Sequence, residues 1–227
     1  VSLLAVSDTC YSATANEWVC WDYVVDRRSD LIEATEQHIY ITVVAVALGF
    51  VIALPLALVA RRFLRLESSV LGVTTIIYTI PSLAMFSLLV DSTGLTATTV
   101  IIGLALYTLS VLVRNMLAGL RAVPDDVRES AIGLGYGRTR LLFKIELPLA
   151  LPVIMAGLRV ATVSTVALTT VGTIIGFGGL GNLLSDAIPL EFNAQILTAS
   201  VLCVLLAIAF DLILVGLQRL LTPWTRA

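Results

Sequence analysis

Five long apolar runs constrain this chain more than any other feature. A helix needs about 20 consecutive apolar residues to cross the hydrocarbon core of a bilayer, and five stretches reach that length: 39–60, 68–90, 92–113, 151–175 and 194–217. The first is uncharged and ends at Arg61-Arg62, the second is uncharged and contains Pro81, and the third is uncharged up to Arg114. Arg159 interrupts the fourth, and Asp211 lies near one end of the fifth. A soluble helical bundle is excluded by composition. Only 13% of residues are charged, against about 25% in soluble domains, and mean hydropathy is +0.99. The expected fold is all-α: a polytopic membrane protein with five transmembrane helices, placed in the cell (plasma) membrane.

The same inventory removes several kinds of function. A net charge of −2 offers no basic excess for phosphates, so nucleic acid is not an expected partner. One histidine, His38, and three cysteines, Cys10, Cys20 and Cys203, are too few for a zinc or iron–sulfur site of the usual type. Lys144 is the only lysine and stands in Phe-Lys-Ile, not in a Gly-Lys-Ser/Thr phosphate loop. Any ATP and Mg are therefore expected on another chain, with no cofactor and no catalytic residue here. An intramembrane enzyme lacks its parts: there is no His-Glu-x-x-His, no Gly-x-Ser-x-Gly, and His38 stands at a span edge without a serine partner. A secondary carrier would bury titratable groups at mid-membrane and show an inverted repeat, and neither is visible. Substrate-stimulated ATP hydrolysis with a soluble ATPase present separates a motor-driven transport subunit from both.

Basic residues collect on the cytoplasmic side of membrane proteins. With five spans, one side receives 1–38, the loop near 91–94 and the stretch 176–193, and holds only Arg27 and Arg28. The other receives 61–67, 114–148 and the C-terminal tail 218–227. It holds Arg61, Arg62, Arg65, Arg114, Arg121, Arg128, Arg138, Arg140, Lys144, Arg219 and Arg226, with Arg159 near its boundary. The expected orientation is N-terminus outside and C-terminus inside. The outer tail agrees, with Asp8, Glu17, Asp22, Asp26, Asp30, Glu33 and Glu36 all acidic. Its first six residues lack the basic n-region of a secretory signal, and no cleaved signal peptide is read there. Ser29-Asp30 is the expected N-cap of an interfacial helix running into the first span. Trp18, Trp21, Tyr23 and Tyr40 suit the headgroup layer. Cys10 and Cys20, on the oxidising side with nine residues between them, are expected to form a disulfide, with Cys203 an ordinary buried thiol.

One loop on the inner side is long, 121–148. Pro124 followed by Asp125 and Asp126 is a good helix start. Val127, Ala131 and Leu134 then fall on one apolar face, and Gly133, Gly135 and Gly137 break the helix. A second short helix is expected over 139–147, with Leu141, Leu142 and Phe143 turned outward and Pro148 ending it. Apolar faces held at the membrane surface read as a docking element.

Within this loop, Glu129-Ser130-Ala131, three residues, Gly135, nine residues, and Ile145-x-Leu147-Pro148 resemble the EAA motif of binding-protein-dependent ABC importer permeases, with Ser130 for the usual alanine. The resemblance runs over roughly 36–217. Gln37-His38-Ile39, Thr79-Ile-Pro-Ser-Leu-Ala-Met-Phe86, Lys144-Ile-Glu-Leu-Pro-Leu-Ala-Leu-Pro-Val-Ile-Met-Ala-Gly-Leu-Arg159 and Ile175-Gly-Phe-Gly-Gly-Leu-Gly181 are similar to the glycine betaine/carnitine/choline osmoprotectant branch. Related permeases for methionine and other small solutes share the scaffold. The resemblance implies a type I, methionine-permease-like importer fold, with residues 39–217 as the permease domain. It implies a second permease copy or paralogue, two cytoplasmic ATPase subunits and an extracytoplasmic substrate-binding protein. It also implies that the loop sits in a groove of the ATPase, with Glu129, Ser130, Ala131, Gly135, Ile145, Leu147 and Pro148 as the coupling residues.

A translocation path needs polar groups and irregular backbone inside the membrane. Candidates are Tyr78, Thr79, Pro81 and Ser82 in the second span, Tyr107, Thr108, Ser110 and Asn115 in the third, and Ser164, Thr165, Thr169, Thr170 and Thr173 in the fourth. Pro81 is expected to free the carbonyl of Ile77. Each hydroxyl equally suits helix gluing or back-bonding to its own chain. Arg159 and Asp211 either snorkel or pair with each other. The glycine-rich run after the fourth span, 176–181, suits a re-entrant turn, an external gate, or a tight turn with close helix packing.

Overall fold

The computed structural model describes residues 9–226, without the side chains of the last two of these. Asp8, the stretch read against a signal peptide and the Arg226 side chain lie outside the described residues. Ten α-helices and no strand are found among those described.

The tail carries a short helix that the sequence does not predict, α1 (Trp21–Asp26). α2 (Arg28–Arg62) then runs 35 residues without a break, about 52 Å at 1.5 Å per residue, so the tail helix and the first span are one element. It starts after Arg27 with no side-chain cap; Ser29 and Asp30 lie inside its first turn, where Asp30 pairs with Arg27 at 3.3 Å. Its last turn carries Arg61 and Arg62, which suit the negative end of the helix dipole.

The second apolar run is not one helix. It divides into α3 (Leu64–Thr79) and α4 (Ser82–Thr93), bent by 97° across Ile80-Pro81. Among the described residues, four helical segments are long and apolar enough to cross a membrane, and five if this bent pair counts as one. Proline fixes its own φ and disfavours helical ψ in the residue before it; here Ile80 sits at φ −65, ψ 127. The expected free carbonyl at Ile77 is in fact taken by the Ile80 N–H at 3.2 Å.

α5 (Ala97–Arg121) is the central helix. Its Leu109, Leu112, Val113, Met116 and Leu120 pack against Ala53, Ala57 and Ala60 of α2 and against Ala150, Ile154 and Ala161 of α8 (Leu147–Thr169). Small residues on the flanking helices let the backbones approach, as is usual in membranes. α4 folds back so that Phe86 packs with Val100 and Leu104. A 3-10 turn (Thr170–Ile175), a glycine-rich turn and α9 (Leu180–Ala187) lead to α10 (Asn193–Leu221). Along the most apolar stretch of α10 no residue is buried. A bidentate pair fastens α10 to α8: Arg159 Nε and Nη2 donate to Asp211 at 2.7 and 2.9 Å.

Opposite the arginine-rich end, residues of the tail form a small cap. Cys10 and Cys20 are bonded, with Cα atoms 5.6 Å apart. Tyr23, expected in the headgroup layer, is 2% exposed: it meets Tyr11 and Phe192 edge-on at 5.9 and 5.3 Å. Trp18, Trp21 and Tyr40 are exposed. Asn16 ties the cap to the start of α10, its Nδ2 donating to the Glu191 carbonyl at 2.8 Å and its Oδ1 accepting the Asn193 N–H at 3.0 Å. The Tyr11 hydroxyl donates to Asp26 at 2.8 Å, and that bond holds the phenol above its ordinary range. Cys203 is a free, half-buried thiol on α10.

Candidate functional site: the arginine-rich loop and the broken helix

The loop after α5 begins with α6 (Asp125–Gly133), preceded by Pro124 and carrying Asp125 and Asp126 in its first turn. Its end has the geometry of a Schellman motif. Gly135 has φ +82, its N–H donates to Ile132 at 2.9 Å, and the Tyr136 N–H reaches back to Ala131 at 3.1 Å. Arg140 lies over the Tyr136 ring at 4.3 Å. The second short helix is shorter than expected: α7 (Arg138–Leu141) passes into a π-helical turn (Leu142–Glu146) that feeds directly into α8. Pro148 therefore does not stop a helix. It occupies the first turn of α8, where a missing N–H is tolerated.

The expected apolar face divides. Ala131 and Leu141 are turned inward and buried, Val127 is half-buried, and Ile132, Leu134 and Phe143 are exposed. Asp126, Val127, Ser130, Ala131, Leu134, Tyr136 and Ile145 line an open groove of about 290 Å³. Glu129 is exposed and makes no ion pair within the described residues. Arg128 turns instead to Glu146, a residue the sequence reading passed over. The Glu146 side chain is 6% exposed and accepts from both terminal nitrogens of Arg61, one at 2.7 Å, and from Arg128 Nε at 3.1 Å. Arg128 also donates to Asp125 at 2.5 Å and to the Leu120 carbonyl, in the last turn of α5, at 2.7 Å. The one signal for Glu146 was an acid flanked by Ile145 and Leu147 at the mouth of a span.

The path candidates fall into two groups. Tyr78, Thr79, Pro81, Ser82 and Tyr107 come together at the α3–α4 break. Tyr107 is buried and its hydroxyl donates to the Ile80 carbonyl at 2.5 Å, while the half-exposed Tyr78 ring stands edge-on to it at 6.0 Å. Thr79 bonds back to Ile76 at 2.7 Å. The others lie apart from this break. Thr165 and Thr169 are buried and bond to Ala161 and Thr165 of their own helix, Thr169 also meeting Thr42 at 3.2 Å. Thr108 and Asn115 likewise bond to their own helix, Ser110 is buried, and Thr173 is half-buried, its carbonyl accepting the Gly176 N–H.

At the opposite end the glycine-rich turn is held by α2. Gln37 accepts the Gly179 N–H at 2.9 Å, and Asn182 accepts the Gly178 N–H at 2.9 Å. A Cβ on Gly179 would stand 2.7 Å from His38 Cβ, so only glycine fits. His38 is fully buried; its Nε2 donates to the Val166 carbonyl at 3.0 Å, and Nδ1 has no partner among the described residues.

A model of the family described as "binding-protein-dependent transport system inner membrane component" matches residues 45–227. The chain belongs to that family. It is thus a membrane-embedded subunit of a binding-protein-dependent transport system. It is 38% identical over 190 residues to a glycine betaine/carnitine/choline transport system permease protein of Bacillus subtilis (strain 168), covering 82% of each chain. It is 34% identical over 206 residues to an osmoprotectant import permease protein of Salmonella typhimurium, covering 88% of this chain and 96% of that one. Among solved structures, the inward-facing MetNI methionine ABC transporter matches with a TM-score of 0.76 at 20% identity, over 87% of this chain and 98% of its own. That likeness carries the overall fold alone.

Proposed function

We propose that this chain is the membrane half of an ATP-driven importer of small compatible solutes of the glycine betaine, carnitine and choline kind. The observation that carries the substrate class is the identity to permeases named for those solutes, 34–38% across 82–88% of the chain. The α3–α4 break suits the chemistry. An exposed Tyr78 backed by Tyr107 offers an aromatic face to a quaternary ammonium, which such faces attract. The fold likeness to a methionine transporter, at 20% identity, does not by itself favour methionine as the solute.

The rest follows from charge and surface. The arginine-rich end is cytoplasmic and the disulfide-bonded cap extracytoplasmic, with residues 1–38 outside, 39–217 in the membrane and 218–227 inside. The EAA loop docks an ATPase through its groove and the exposed Ile132, Leu134 and Phe143. Glu129, Ser130, Ala131, Gly135, Ile145, Leu147 and Pro148 form that coupling element, and ATP and Mg are held by the ATPase. Two such permeases, or one with a paralogue, complete the path with two ATPases and an extracytoplasmic binding protein. Uptake of labelled betaines, choline and methionine in a strain lacking this permease is the test. Robust methionine uptake with none of betaine or choline would overturn the substrate class and leave the family standing.

A further inference from the structure

α6 is poorly anchored by apolar packing. Ala131 is its only buried residue, and its other apolar side chains are half-buried or exposed. Polar contacts hold it to the bundle, and they converge on one residue. Arg128 spans from α6 to the Leu120 carbonyl at the end of α5 and to Glu146 at the entry of α8. Glu146 in turn holds Arg61, in the last turn of α2, through two donors. An ionised carboxylate accepts only, so it satisfies guanidinium donors from both arginines at once. Without it two cations would face each other in a site largely closed to water, an arrangement that strongly disfavours the closed geometry. The carboxylate also stands on the π-helical turn, an irregularity frequent at functional sites.

We propose that Glu146 is a positioning residue for transport: it clamps Arg61 and Arg128 into one unit, through which displacement of α6 is passed to α2 and α5. This rests on reading α6 as the ATPase-docking element. A mere staple would affect how much complex assembles, whereas a transmission link affects how much solute moves per ATP hydrolysed.

The full complex of permease, ATPase and binding protein, reconstituted in liposomes, distinguishes them. Glu146→Gln, Arg61→Gln and the double variant are compared for ATPase occupancy, ATP hydrolysis and solute uptake. The expected result is about a tenfold fall in solute per ATP for each single variant, within the range typical of coupling between sites. The double variant falls no further, because both changes break one link. An unaltered ratio in either single variant, additive losses in the double, or a loss confined to the amount of assembled complex overturns the proposal. If Glu146→Gln fails to assemble, Arg61→Gln decides by the same ratio, since it leaves Glu146 paired with Arg128. A wild-type complex that binds no ATPase and carries no solute would instead sink the proposed function itself.

Discussion

Substitution at Gly135 separates backbone strain from bulk and charge. The residue sits at φ +82, and beyond Gly135 itself and its two chain neighbours no heavy atom lies within 4 Å of where a Cβ would stand. Alanine there meets no clash within this chain; its whole cost is the left-handed backbone, about 1–2 kcal/mol. Asparagine adopts that region more readily and should cost about half as much. Aspartate has the same shape but adds an anion at the C-terminus of α6, unfavourable by about 0.3–1 kcal/mol at an exposed position. The isolated permease in detergent should therefore melt in the order glycine, asparagine, then aspartate and alanine, all within a few degrees. If the turn faces the ATPase groove, the assembled complex should rank differently. Gly135→Asp should insert normally yet fail to retain the ATPase or couple it to uptake, while Gly135→Asn keeps both. Glu129→Ala, at an exposed residue, should leave melting within about 0.5 kcal/mol of the parent and weaken coupling only in part. Melting, ATPase co-purification and liposome uptake measure these separately. Full uptake by Gly135→Asp at parental ATPase occupancy would mean that the loop is not the coupling element.

Tyr107→Phe removes the hydroxyl that donates to the Ile80 carbonyl and should cost about 1–3 kcal/mol; an unchanged melting temperature and uptake would show that the break does not depend on it. Gly157→Ala would set a Cβ 2.3 Å from Asn115 Cβ, forcing α8 from α5 at about 1–3 kcal/mol, visible as a lower melting temperature in detergent and refuted by a parental one. Cys20→Ser should release the tail loop, which by loop entropy loses about 2–3 kcal/mol of restraint. In the parent, alkylation of Cys10 and Cys20 should need prior reduction, and labelling of both without it would disprove the bond.

The legible part of the fold was what local pattern determines. Apolar run length located the spans, and the acids after Pro124 together with the glycines after it located α6 and its end. The sequence marked Pro81 as an interruption, but a proline inside a span fits either a kink or a break. What made it a break here is remote: Tyr107, 27 positions away, closes the Ile80 carbonyl. The fate of Pro148 was misread for a related reason. The π-helical turn before it lets the chain continue into α8, and nothing in Leu-Phe-Lys-Ile-Glu announces that register change. Tyr23 looked like an interfacial aromatic because its partners, Tyr11 and Phe192, come from the far tail and the start of α10.

The irregular segments share one construction. At three places where the backbone leaves the α-helix, a polar side chain from a sequence-distant helix takes up what the irregularity exposes or fixes how it sits. Tyr107 does so at the α3–α4 break, Arg61 at the π-helical turn 85 residues on, and Gln37 at the glycine-rich turn 142 residues on. At the α3–α4 break, inside an apolar run, this is close to a requirement, since freed backbone groups find no water in hydrocarbon. The consequence is functional. Each cross-link ties its segment to one particular helix: the break to α5, and the π-helical turn and the glycine-rich turn both to α2. Displacement at α6 therefore has a defined route inward, through Arg128 and Glu146 to α2, the helix whose other end holds the glycine-rich turn.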